Sequence, residues 1–420
     1  MFNKLLSFSI QQRWLVLLCV LGIGLLGVFH FQSLPIDAVP DITNVQVQIN
    51  TQAAGYAPLE VEQQITFPIE FSLSGLPKMK QTRSLSRYGL SQVTVIFEEG
   101  TDIYFARQLL SEKLQQIQSR LPQGLQPELG PIATGLGEIY MWALEAKPEA
   151  RNAQGKAFSL TDLRTLQDWV VRPQLKTVPG VTEVNTIGGY PKMFQISPDP
   201  EKMRAYQISF EEVVTALQKN NQNTGAGYIE REGSQYLLRM PGKLKDENNI
   251  QATLIKTENG VPVRIRDVAQ VEFGQELRTG AATYDGQEAV LGTAVMLIGA
   301  NSQAVSEAVH ERLLQINESL PKGVQAVTLY NRSVLVEKTI ATVEENLALG
   351  ALFVIVVLFL FLGNFRAAVI TAMVIPFAMC FTISGMYLNK ISANLMSLGA
   401  LDFGIIVDGS VVMAENCLRH

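Results

Sequence analysis

The sequence predicts an α+β membrane protein, in which helices that cross a bilayer carry soluble units built of strands and helices. Two observations lead there. Apolar residues make up 47% of the 420 residues and charged ones only 17%, and the apolar excess is gathered in one early block and in the final stretch. The long middle is polar instead, and it alternates between the two-residue period of strands and the 3.6-residue period of helices. The net charge of −5 is mild, and it gives no reason to expect nucleic acid as a partner.

A bilayer core about 30 Å thick takes about 20 apolar residues of helix. Residues 14–31 approach that length without one charge, behind residues 1–13, which carry Lys4 and Arg13. The run exceeds the apolar core of a signal peptide, roughly 7–15 residues, and no small-x-small cleavage site follows it, so it reads as an uncleaved anchor. Further spans are expected at 347–362, 367–388 and 394–413, with 414–420 as a short cytoplasmic end. The links Gly363-Asn-Phe-Arg366 and Asn389-Lys-Ile-Ser392 are short, so these spans pack as hairpins. Lys4, Arg13, Arg366 and Arg419 then share one side of the bilayer, with Lys390 on the other. The positive-inside rule puts the N-terminus in the cytoplasm. The segment from about residue 34 to 343 lies outside it, in the periplasm of a Gram-negative cell.

Within that segment, 45–51 alternates as a half-buried strand. Residues 58–73 follow with Pro58 at a helix start and Val61, Ile65, Ile69 and Leu73 on one face. Strands are expected at 80–87 and 92–97 around Tyr88-Gly89, and a helix capped by Asp102 runs to Leu121, ahead of Pro122. This order suggests a split βαβ sandwich over 32–135. The pattern recurs: strand 138–145, helix capped by Ser159 through 175, strand 181–187, then strand 289–297, helix 302–320 and strand 324–330. Those pieces form a second βαβ–βαβ unit over 136–187 and 275–335, interrupted by an insertion at 188–274 that has its own helix at 210–220.

Metal and redox motifs are sparse. Cys19 and Cys380 lie in apolar runs and Cys417 just after one, so neither a disulfide framework nor a Cys-x-x-Cys motif exists. His30, His310 and His420 are far apart, and no preformed zinc site from His and Cys is expected. Met373, Met379, Met386, Met396 and Met413 lie in or beside spans. They could line a soft-metal path, but adaptable packing is the better reading. Glu138, Asp162 and Glu288 could coordinate a cation, as acids of any soluble domain could.

The informative residues are three acids in the last span, Asp402, Asp408 and Glu415. An acid at mid-membrane costs ~2.5–3.5 kcal/mol even on lenient scales, and intramembrane acids mark function. Asp408 and Glu415 are seven apart, on one helix face and ~10.5 Å apart along the axis. Asp402 lies roughly 120° around, and the three span a rise of ~20 Å. A carboxyl poised between burial, which raises its pKa, and a nearby cation, which lowers it, can take up and release protons or bind a cation. The alternative is a static pair holding two helices together. No lysine or arginine occurs inside any span, so a pairing cation would come from beyond His420 or from another chain.

Four motifs carry a resemblance: Leu34-Pro-Ile-Asp-Ala-Val-Pro-Asp-Ile-Thr43, Gly75-Leu-Pro-Lys78, Arg83-Ser-Leu-Ser-Arg-Tyr-Gly-Leu-Ser91 and Asp402-Phe-Gly-Ile-Ile-Val-Asp-Gly409. From first residue to last, the chain resembles the heavy-metal efflux branch of the resistance-nodulation-division (RND) transporters. It looks more like the zinc, cobalt, cadmium and nickel type than the copper and silver type. The resemblance implies a secondary active transporter, a proton/cation antiporter in the bacterial inner membrane, and not an enzyme. It implies no cofactor, a divalent metal cation as cargo, and no assigned metal-binding residues. The two soluble units would be ferredoxin-like porter subdomains and 188–274 a docking insertion. The partners implied are two further copies in a homotrimer, a periplasmic adaptor (membrane fusion) protein, an outer-membrane channel and the lipid bilayer. Asp402, Asp408 and Glu415 map onto the family's proton relay, with Asp408 as central carrier. Members carry a second repeat of similar size, so the chain is expected to be the N-terminal part of a longer pump.

Other classes fit less well. An exporter of drugs or other organic compounds in the same superfamily would need a large aromatic cleft, and aromatics are only 8%. An intramembrane aspartyl protease needs two aspartates from different helices sharing a proton, and the first three spans contain no acid. A membrane-anchored sensor leaves three acids in one span unexplained.

Overall fold

The computed structural model describes residues 2–34, 37, 43–240, 242–258, 260–276, 280–362, 365–389, 408–413 and 416. In the first soluble unit, strand β1 (Gln46–Gln52) buries alternate residues Val47, Ile49 and Thr51. The helical run 58–73 begins at Pro58, where a missing N–H costs nothing, and contains one wide turn at Glu62–Thr66. Val61, Ile65, Ile69 and Leu73 are fully buried along it, on the face the spacing predicts. Strands β2 (Met79–Arg87) and β3 (Leu90–Phe97) form a hairpin closed by Tyr88-Gly89, with Gly89 at φ 71°. Asp102 caps the helix Ile103–Ile117 by accepting the backbone N–H of Tyr104 (2.8 Å) and Phe105 (2.9 Å). A three-residue strand, β4 (Pro127–Leu129), pairs antiparallel with β1 and completes the sheet in the order β2-β3-β1-β4.

The second unit starts with β5 (Glu138–Ala146), the helical run 160–175 and β6 (Val181–Ile187). The chain then leaves through β7 (Lys192–Pro198) and the helix Phe210–Lys219, capped by Ser209. An exposed hairpin follows, β8 (Thr224–Arg231) with β9 (Ser234–Met240), and then the pair β10 (Leu254–Glu258) and β11 (Val261–Arg264). β12 (Ala269–Gln275) pairs back onto β7, so the insertion enters and leaves through one ribbon. Its own small core holds Ile208, Val213, Ile250, Val263, Ile265 and Val271. A short hairpin, β13 (Thr283–Tyr284) with β14 (Gln287–Glu288), leads to β15 (Val290–Met296), which inserts between β5 and β6. The helix Ser302–Ser319 and β16 (Val324–Asn331) finish the unit, in the sheet order β16-β5-β15-β6. Both sheets are antiparallel and share one order: fourth strand, first, third, second. The second unit therefore repeats the first, with the insertion placed between its second and third strands.

Close packing fixes that second sheet. Gly292 on β15 lies directly opposite Trp142 on β5, and a Cβ at Gly292 would collide with the indole ring. Trp142 is fully buried, and its indole N–H donates to Gln167 Oε1 at 2.9 Å.

Two helices among the described residues are long and apolar enough to cross a membrane, Arg13–Phe31 and Ala368–Leu388. The second contains an interruption: Phe365–Ala372 and Val374–Leu388 meet at Met373. Pro376 has no N–H to offer the carbonyl of Ala372, which accounts for the break. The expected span 347–362 lies in a helix that begins much earlier, Arg332–Leu362, with a shorter apolar window at Ala348–Val357. At 31 residues this helix is about 46 Å long and exceeds a bilayer core by about half. Of the expected span 394–413, only 408–413 falls among the described residues, and it is helical.

Candidate functional site

Of the three acids singled out from sequence, Asp408 opens the described helical turn 408–413 and is exposed in this chain. Asp402 and Glu415 lie outside the described residues, so their spacing stands on the sequence alone. Among the described residues no group of three or more His, Cys, Asp or Glu side chains is placed to hold a metal ion.

The acids of the soluble units do not gather. Asp162 is occupied with local structure: its carboxylate accepts from the Ser159 backbone N–H (3.0 Å), the Ser159 hydroxyl (2.9 Å) and Asn152 Nδ2 (3.2 Å). Partial burial pushes its pKa up, but these hydrogen bonds and the charge of Lys192 outweigh that and hold it below its ordinary value. Glu138 and Glu288 are exposed, at the start of β5 and on β14. Met386 packs among buried apolar side chains, while Met373 and Met413 are exposed and form no file with it.

Three arrangements escaped the sequence reading. One is a cavity of about 490 Å³ where the second unit meets the root of the insertion, lined by Arg164, Asp168, Trp169, Lys192, Phe194 and Phe273. Its one acid among these is committed, Asp168 accepting from Arg164 Nε at 2.6 Å and from the Thr186 hydroxyl at 2.9 Å. With Lys192 Nζ 4.2 Å from the centre of the Phe273 ring, the cavity has a cationic rim that suits no metal cation. A second buried cluster lies in the same unit, where the Tyr140 hydroxyl bonds His310 Nδ1 (2.6 Å) and Thr328 Oγ1 (2.7 Å). Burial pushes the Tyr140 pKa up, only partly offset by Thr328.

The third arrangement is a junction where the second sheet meets the apolar helices. β16 passes into the helix Arg332–Leu362 without a linking residue, and Asn331 Oδ1 caps the turn by accepting the Ser333 N–H (2.9 Å) and hydroxyl (2.7 Å). Arg332 is thus a cation in a first helical turn, where the helix dipole disfavours it. The Asp37 carboxylate answers it. Asp37 Oδ1 accepts from Arg332 Nε (3.4 Å) and Nη2 (3.3 Å), and from the hydroxyl of Ser302 (2.8 Å), the first residue of another helix. Arg332 Nη1 also donates to the Tyr330 hydroxyl at 3.3 Å. Burial works against the Arg332 charge, but Tyr330 and Asp37 outweigh it and raise the pKa above its ordinary value. Next to the pair, Leu34, Val336, Ile383 and Met386 form an apolar cluster, with Ile340 against it. His30 stacks on Tyr387 with ring centroids 4.5 Å apart, which ties the first apolar helix to the helix Val374–Leu388. The signal available in sequence was Asp37, within a quoted motif, and Arg332 at the foot of a span; nothing local links residues 295 positions apart.

Two βαββαβ units of one strand order stand beside long apolar helices, and three acids lie in the last apolar stretch of the sequence. The chain belongs to the AcrB/AcrD/AcrF family, whose model matches residues 5–420. It is 61% identical over all 420 residues to the cobalt-zinc-cadmium resistance protein CzcA of Cupriavidus metallidurans, and equally to the cation efflux system protein CzcA of an Alcaligenes species. The cation efflux system protein CusA of Escherichia coli is 40% identical. The chain covers 40% of the length of each of these relatives. Among solved structures, a heavy metal efflux pump superposes with a TM-score of 0.89 at 37% identity, over 99% of this chain and 41% of the pump.

Proposed function

We propose that this chain supplies the first porter half and the proton-relay span of a proton-driven exporter of divalent metal cations. Zinc, cobalt, cadmium and nickel are the cargo class, ahead of copper and silver. The observation that carries the reading is the 61% identity over the whole chain to relatives named for cobalt, zinc and cadmium resistance and cation efflux, against 40% for CusA. The three acids of 402–415 supply the chemistry. A carboxyl in an apolar helix is driven toward its neutral form and re-ionises when a cation or water approaches, so each cycle can move a proton.

In this reading the units at 32–135 and 136–187/275–335 are ferredoxin-like porter subdomains in the periplasm, a reading supported by their common strand order. Residues 188–274 form a docking subdomain. Its hairpin exposes Tyr228, Ile229, Tyr236 and Leu237, apolar side chains suited to a neighbouring subunit of a homotrimer. Four inner-membrane spans, at 14–31, 347–362, 367–388 and 394–413, complete this half. A periplasmic adaptor and an outer-membrane channel extend the path, the metal is cargo, and no cofactor takes part. The test is uptake of zinc, cobalt, cadmium, nickel and copper(I) into inverted vesicles that hold the complete pump under an imposed proton gradient. Gradient-dependent uptake of the first four is expected; uptake of none of the metals overturns the reading.

A further inference from the structure

The pair at the junction joins three parts that a transport cycle must move together. Asp37 follows the first apolar helix, Arg13–Ser33, by only a few residues, and Leu34 is buried against the helix Arg332–Leu362. Ser302 begins the helix that packs across the second sheet, and Arg332 begins the helix that carries the next apolar stretch. A single carboxylate oxygen therefore holds the exit of one membrane helix, the start of another and a helix of the second soluble unit. No linker intervenes between β16 and the helix Arg332–Leu362, so a tilt of that helix is delivered directly to the sheet.

Stability alone is a poor reason for such a pair. The Arg332 side chain is 8% exposed and that of Asp37 24%, so both charges are largely taken from water. A buried ion pair contributes little net stability compared with an apolar contact of the same size, whereas removing one partner strands the other charge. What the pair adds is a fixed registration between elements. The apolar cluster beside it would hold the parts together but, being non-directional, would let them slide.

We infer that Asp37 and Arg332 are the positioning pair that couples membrane-helix movement to the second porter unit, so that proton passage is converted into metal movement. The inference rests on the transport reading above and deepens it. Neither residue touches the cargo or the proton. Breaking the pair uncouples the two fluxes and leaves both sites intact.

The experiment uses the complete pump in proteoliposomes, measuring zinc accumulation and dissipation of the pH gradient in the same sample. Zinc binding to the detergent-solubilised protein is measured alongside. Arg332→Gln and Asp37→Asn should lower accumulation by on the order of tenfold, equivalent to about 1.4 kcal/mol of lost coupling. Gradient dissipation and zinc binding should stay at parent levels. Arg332→Lys, which keeps the charge, should restore part of the accumulation. If Arg332→Gln fails to reach the membrane, the near-isosteric Asp37→Asn carries the same comparison. A proportionate fall of both fluxes, or parent-level accumulation in the variants, overturns the coupling role while the transport reading stands. A parent that accumulates no metal overturns the transport reading, and the coupling role with it.

Discussion

Replacing Gly292 with alanine should loosen the second soluble unit while leaving the first untouched. The new methyl group has no space: it would meet the Trp142 indole on the opposing strand and the Gln167 amide behind it. Trp142 is fully buried and cannot swing to solvent, so either the indole shifts or β15 bows away from β5. Overpacking of this kind costs about 1–3 kcal/mol. Displacing the indole also breaks its 2.9 Å hydrogen bond to Gln167 and strands two buried polar groups, at about 1–3 kcal/mol more. The lower bound, about 2 kcal/mol, corresponds to about thirtyfold faster amide exchange for protons released by opening of this unit. The assay is hydrogen exchange of the detergent-solubilised protein, read at peptides covering β5, β15 and the helical run 160–175. Peptides covering β1 and β3 serve as the internal reference, since they belong to a separate core. Trp142→Phe, which shortens the ring, should return part of the protection in the double variant. Exchange at β5 and β15 within about threefold of the parent would refute the packing argument, because less than about 1 kcal/mol would then have been lost.

Five further outcomes are expected. Asp408→Asn in the complete pump should abolish gradient-driven zinc uptake into inverted vesicles while expression holds, because asparagine keeps the shape but carries no exchangeable acid proton. Parent-level uptake would make this carboxyl structural. Asp402→Asn and Glu415→Gln should impair uptake less, as ends of the path, in the same assay. Removing residues 230–243 should lower the yield of trimer on size-exclusion chromatography without affecting membrane insertion, and an unchanged trimer would exclude a docking role for the hairpin. A reporter fused near Gly260 should be active only outside the cytoplasm. For Asp162 the sign follows from its lowered pKa: a carboxylate stabilised by folding contributes fully above its unfolded value, about 3.9. That contribution is lost as pH falls through the folded value. Asp162→Asn should therefore unfold more readily than the parent at pH 7, by about 0.5–1.5 kcal/mol for the hydrogen bonding lost around Ser159, and the gap measured by thermal unfolding should close in acid.

The soluble architecture was legible where one face of an element is buried, because burial imposes a period on the sequence. Val61, Ile65, Ile69 and Leu73 reveal their helix at four-residue spacing, and Asp102 and Ser159 mark the starts of others through the backbone N–H groups they satisfy. β4 was not legible: three residues starting at Pro127 are too few to show a period, and their strand character comes from pairing with β1. The start of the helix at Arg332 was hidden for a different reason. Hydropathy reports only the apolar part of a helix, and the polar first turns ahead of it resemble any linker. Asp402, Asp408 and Glu415 stand out in the sequence because a charge in an apolar run is costly wherever it occurs, and of the three only Asp408 falls among the described residues. The junction is the opposite case. Asp37, Ser302 and Arg332 lie far apart in the chain, and their pairing appears only when folding brings them together. Chemistry carried by an unusual residue in its local setting can be read from the chain, whereas coupling between distant segments is a property of their meeting.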